Sequence, residues 1–166
     1  KIEYYKSALV LIPTAIDALI NLGICYLELK RFDLADKYLT QAMSQSPKNA
    51  VALSNLGVLR RKQGRRTEAT ELFTSALRIK PKYSLALRNL GLISLGEGDP
   101  KIALDAFTKL IEKGELESGN LGFLVLAKQS ICDWDGINEL RDRLLNSIQE
   151  DMSVADPFSL LAILGD

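Results

Sequence analysis

The sequence predicts an all-α fold, a right-handed superhelix of antiparallel helix pairs (an α-solenoid), and three observations carry that expectation. Pro13, Pro47 and Pro81 recur at an interval of 34 residues. The same interval links Leu19, Leu53 and Leu87, the glycines Gly23, Gly57 and Gly91, and the alanines Ala35, Ala69 and Ala103. Within each copy, apolar residues return every three or four positions on either side of a polar break, as two amphipathic helices require.

In chain order, residues 1–13 read as the second helix of a copy whose first helix is absent, with Tyr5 and Ala8 in the slots later held by Leu39 and Ala42. Three full copies follow, with helices expected over 15–29 and 32–45, 49–62 and 66–79, and 83–96 and 100–113. Gly64 and Gly98 close first helices, and Asp99 before Pro100 pairs an N-cap with proline at the first helical position. Pro47 and Pro81 stop the second helices, because proline has no N–H to continue the ladder.

After Ile111 the pattern decays, and Glu115 stands where proline is due. A degenerate helix pair is expected over 118–151, as helices near 117–130 and 134–148 with Asp133 as N-cap; residues 152–166 read as a linker or cap. Keeping the 34-residue register puts Leu121, Leu124, Val125, Ile137, Arg141 and Leu144 in the repeated slots. An alternative register aligns Asn120-Leu121-Gly122 with the earlier Asn-Leu-Gly and shortens the unit; the first is preferred because it also aligns Ile137 and Leu144.

Glycine inside a helix costs about 1 kcal/mol against alanine, so Gly23, Gly57 and Gly91 point to a packing need. The expected arrangement sets these glycines against Ala35, Ala69 and Ala103, small against small, with Tyr26, Leu39, Phe73 and Phe107 filling the remaining volume.

These slots, Leu-Gly, Ala, a bulky residue, Ala and Pro on a 34-residue helix pair, resemble the tetratricopeptide repeat family over residues 1–117. The resemblance implies a protein-binding solenoid whose first helices line a concave groove. Its cut N-terminal end implies apolar surface that another repeat would cover, and hence self-association through exposed repeat ends.

Composition narrows the chemistry. With no His, the usual general base and the commonest metal ligand are missing; no catalytic residue, metal or cofactor is expected. Lys plus Arg and Asp plus Glu number 21 each, so no bulk field draws the chain to nucleic acid or an anionic membrane. Cys25 and Cys132 form no CxxC pair and read as small buried hydrophobes in a reducing compartment, the cytoplasm. Apolar runs such as 8–12 and 158–164 fall far short of the roughly 20 residues that span a bilayer.

The stretches Cys132-Asp133-Trp134 and Pro157-Phe158 with Leu160 and Leu161 resemble the junction between repeats and catalytic region in the O-linked N-acetylglucosamine transferase family. That resemblance implies a substrate-recruiting arm whose sugar-nucleotide site lies beyond Asp166, so that this chain alone is not an enzyme. The alternative makes Trp134 a plug for the last helix pair and the chain a free-standing adaptor for complex assembly.

Asn21, Asn55 and Asn89 precede each Leu-Gly, one per repeat. Stacked helix layers set such amides about 10 Å apart, near three residues of an extended peptide at about 3.3 Å each. An amide offers donor and acceptor to a peptide backbone without consulting its side chains. The transferase family is similar, with an asparagine ladder along its groove; Phe123 holds the next slot, so the ladder ends at Asn89. Alternatively these amides only join neighbouring helices. Asp17, Ile20, Ile24, Leu27, Val51, Ser54, Val58, Arg61, Leu85, Arg88 and Leu92 are expected to share the inner surface. The lysines and arginines of chaperone-tail clamps are missing there, Arg88 being the lone base in the matching slots. The run Arg60–Arg66 reads as a solvated turn, since no aromatics interleave with it.

Overall fold

The computed structural model describes residues 1–115 and 118–150. The 152–166 segment, and with it Pro157, Phe158, Leu160 and Leu161, lies outside the described residues. Among the described residues there are nine helices and no strand: α1 (Ile2–Leu11), α2 (Ile16–Glu28), α3 (Phe32–Gln45), α4 (Ala50–Lys62), α5 (Arg66–Ile79), α6 (Ser84–Glu97), α7 (Pro100–Glu112), α8 (Ser118–Ser130) and α9 (Ile137–Glu150). They divide between two compact units, residues 1–86 and 87–166.

In the first unit α2 pairs with α3 and α4 with α5, while α1 packs on α2 and α3 on α4. Leu22, Tyr26, Ala35, Leu39 and Leu59 form one core cluster, and Leu19, Ile20, Ala42 and Ala52 another. Tyr26 and Tyr38 stack with ring centroids 5.6 Å apart, tying α2 to α3. Between the pairs, Arg60 of α4 reaches Asp36 of α3 at 2.8 Å and Glu68 of α5 at 3.7 Å. Arg60 is therefore a buried-edge bracket rather than part of a solvated turn; its side chain is only 13% exposed.

In the second unit α7 packs on α8 and α8 on α9. Leu121, Val125, Ile137, Leu144 and Ile148 close the α8–α9 pair, and Phe123 stacks on Phe107 at 5.3 Å.

The glycines seat the bulky residues of the facing helices. A β-carbon on Gly23 would stand 2.6 Å from Leu39 Cγ, on Gly57 2.8 Å from the Phe73 ring, and on Gly91 2.7 Å from the Phe107 ring. Each glycine is thus the socket for the bulky residue of the facing helix, which is its nearest contact there. The physical reason is volume: a ring lying flat on helix backbone fills space that two small residues would leave empty.

Within each pair the turn is the same. Lys30, Gly64, Gly98 and Cys132 all adopt left-handed φ, at 57°, 79°, 78° and 55°. The next residue's N–H then reaches back to the carbonyl of Tyr26, Arg60, Ser94 or Lys128 at 2.8–2.9 Å, which satisfies a helix-end carbonyl in a Schellman motif. These positions keep the 34-residue interval, so Cys132 occupies the glycine slot of the decayed copy. Where proline is missing, α7 ends instead on left-handed Gly114, with Glu115 N–H bonded to Leu110 O at 3.1 Å.

Helix starts follow side-chain caps where available. Asn49 Oδ1 accepts from Val51 and Ala52 N–H at 3.0 Å each, and Asp99 accepts from Ile102 N–H at 3.5 Å. Asp133 is not the cap of α9, which begins later, at Ile137, after left-handed Gly136. Its carboxylate holds Lys128 Nζ at 2.6 Å and Asp135 N–H at 3.1 Å instead.

Candidate functional site

The three repeated asparagines fall on α2, α4 and α6. In the first unit Asn21 is half-buried, whereas Asn55 is 7% exposed and donates its Nδ2 to Val51 O at 2.8 Å, a back-bond to its own helix. In the second unit Asn89 is 6% exposed. Asn55 and Asn89 are therefore buried, and Asn21 is the most open of the three.

Ile24, Val58 and Leu92, each three residues beyond an asparagine, are half-buried, as are Arg61 and Arg88. Ile20, Leu27 and Ser54, expected on the inner surface, are buried in the packing instead. Along α4 the buried Ser54 Oγ and Arg61 Nε have no hydrogen-bond partner among the described residues. Arg61 supplies polar capacity that its own helix does not use.

Arg88 is built into its unit. Its Nε donates to Asn120 Oδ1 at 3.1 Å, and its guanidinium lies 3.9 Å from the Glu115 carboxylate. Asn120, 2% exposed, also donates to Glu115 O at 3.1 Å, and Lys113 pairs with Glu115 at 2.9 Å. This cluster fastens the α7–α8 connection to α6 where a proline is lacking. In the preferred register Asn120 falls in a slot that holds Ala52 and Ala86 in the earlier copies; only the alternative register, which aligns Asn120-Leu121-Gly122 with Asn-Leu-Gly, singles it out.

Two further expectations are corrected. Cys132 is exposed and Cys25 half-buried, both as free thiols, because the turn slot of Cys132 faces away from the helix pair. Trp134 is 59% exposed and so plugs no core among the described residues. Lys128, bonded to Asp133 at 2.6 Å and to Asp135 O at 2.8 Å, pins the turn that carries it. That contact holds the Asp133 carboxyl below the usual carboxylate range, the hydrogen bond from Lys128 first and the Asp135 N–H next.

Among the described residues no group of three His, Cys, Asp or Glu side chains is placed to hold a metal ion, and no helix is long and apolar enough to cross a membrane. The candidate residues on α2, α4 and α6 are amides, half-buried aliphatic side chains and two arginines, Arg61 and Arg88.

Two tetratricopeptide repeat profiles match the sequence, over residues 15–82 and 54–118. The chain is a tetratricopeptide repeat protein. No curated protein sequence matches it. Solved structures share the fold: one titled "Crystal structure of MamA" is 20% identical with a TM-score of 0.75, covering 92% of this chain and 89% of that one. A structure of Pseudomonas aeruginosa pilF is 22% identical with a TM-score of 0.80, covering 95% of this chain and 70% of the other. YrrB, titled "a TPR protein with an unusual peptide-binding site", is 18% identical with a TM-score of 0.71, covering 97% of this repeat chain and 80% of YrrB. At such identities the likeness speaks for the tetratricopeptide architecture alone.

Proposed function

We propose that this tetratricopeptide repeat chain is a scaffold that captures an extended segment of another protein along its first helices. The observation that carries the reading is the recurrence of one amide per repeat, Asn21, Asn55 and Asn89, each followed on the same helix by a half-buried aliphatic residue, Ile24, Val58 or Leu92. In this reading the amides engage peptide backbone and the aliphatic residues add apolar contact, with Arg61 and Arg88 at the margin. Asn55 keeps its Oδ1 as an acceptor while Nδ2 serves Val51. YrrB, a structural neighbour with a peptide-binding site, supports a peptide-class ligand.

The test is selection of binders from a phage library of random linear peptides, followed by fluorescence anisotropy of a selected peptide against the wild type and the Asn21→Ala, Asn55→Ala, Asn89→Ala triple variant. The expected result is affinity weakened roughly tenfold or more at a temperature where circular dichroism shows both proteins fully folded. Equal affinity for both proteins removes the ladder.

A finer reading rests on the Cys132-Asp133-Trp134 resemblance. In it the chain recruits protein substrates for an O-linked N-acetylglucosamine transferase-like domain encoded beyond Asp166; the competing reading is a free-standing adaptor. Reading the gene past Asp166 decides between them: a nucleotide-sugar-binding domain supports the first, an early stop codon the second.

A further inference from the structure

The α8–α9 turn is built more stiffly than a connector needs. Left-handed Cys132 and Gly136 bracket it, Lys128 bonds both Asp133 and the Asp135 carbonyl, and Asp133 caps the Asp135 N–H. The rigid turn holds out the chain's one tryptophan, Trp134, 59% exposed, between the acidic side chains of Asp133 and Asp135. An indole displayed on a stiff support loses little entropy on docking and brings a large apolar area, the properties of an interface anchor.

In the first unit, a cavity of about 330 Å³ lies between α1 and α3. Leu9, Val10, Leu19 and Tyr38 supply its apolar walls, and Lys6 and Lys37 stand at its rim. Val10 is 81% exposed, a large aliphatic side chain left in water. Lys6 shares its charge with Glu3 at 3.0 Å, and the Lys37 ammonium lies 5.5 Å from the Tyr38 ring centre. One site is an apolar knob flanked by carboxylates; the other is an apolar hollow flanked by ammonium groups. The two are complementary in shape class and in sign.

We infer that a second copy of this chain is the occupant: Trp134 of one molecule seats in the Lys6–Lys37 cavity of the next, with Asp135 facing Lys37. Because knob and hollow are different surfaces, the contact joins unlike patches of the two molecules. A single anchoring ring makes it a weak, concentration-dependent contact, sensitive to salt. It stands independently of the peptide-binding reading.

Sedimentation velocity and Trp134 emission across a wide range of protein concentration test it on the same chain. The expected result is growth beyond the monomer, with emission moving to shorter wavelength in parallel as the indole leaves water. Trp134→Ala should abolish the growth, with an unchanged circular-dichroism melt showing that the exposed residue was not holding the fold. Lys37→Glu should weaken association roughly tenfold, and adding Asp135→Lys should recover much of it. A monomer at every concentration overturns the inference. So does association that survives Trp134→Ala, for example through Tyr4 and Leu11 on α1, or that ignores Lys37→Glu.

Discussion

The α-carbon of Gly57 lies so close to the Phe73 ring that a methyl group there would stand 2.8 Å from its Cε1. Phe73 is fully buried and has no room to retreat. Gly57→Ala should therefore destabilise the first unit by about 1–3 kcal/mol, the overpacking cost exceeding the roughly 1 kcal/mol of helix propensity gained. Gly96, also helical, would meet nothing within 4 Å, so Gly96→Ala should stabilise by about 0.5 kcal/mol. Urea denaturation of the two variants should give shifts of opposite sign.

Lys30 adopts the left-handed conformation that Gly64 and Gly98 provide in the equivalent turns. A β-carbon there costs about 1–2 kcal/mol, part of which glycine returns as unfolded-chain entropy. Lys30→Gly should raise stability by about 0.5–1 kcal/mol, seen as a higher urea midpoint with an unchanged slope.

Arg60 brackets α3 and α5 through Asp36 and Glu68. The carboxylates are 40% and 46% exposed, which limits the gain from each. Asp36→Asn should cost about 0.5–1 kcal/mol, and the loss should shrink in high salt. A loss independent of salt would show that Arg60 works through packing of its stem.

Asp133 has a folded-state pKa depressed by Lys128 and the Asp135 N–H. Its contribution to holding the turn is fully present above the ordinary carboxylate pKa of about 3.9, and is lost as pH falls through the lower, folded value. Carboxyl-carbon NMR should follow this titration. Lys128→Met should move the midpoint upward towards the ordinary value.

The helices were legible because their signals are local and repeated: proline stops, an Asn49 or Asp99 cap, and apolar spacing fix each span. The glycine contacts were legible as a need but not as a pairing. Periodicity shows that Gly57, Ala69 and Phe73 share a face region, yet only the rotation of one helix on the other decides which of them touches Gly57. The site was read less fully. Burial of Asn55 and Asn89 depends on how deeply neighbouring layers press together, which no single copy encodes. The Arg88–Asn120–Glu115 cluster joins residues that occur in one copy alone and leave no repeated trace.

The shared left-handed turn makes the chain editable in whole modules. Lys30 and Gly64 hand the same backbone direction to the helix after each of them, so excising residues 31–64 would splice Lys30 to Arg65 without bending the path of the main chain. The product would seat Phe73 where Leu39 now lies, on Gly23. Array length is then a quantity that duplication or loss of one segment can change while the glycine socket and the left-handed turn are kept, which makes reach a property open to variation in this molecule.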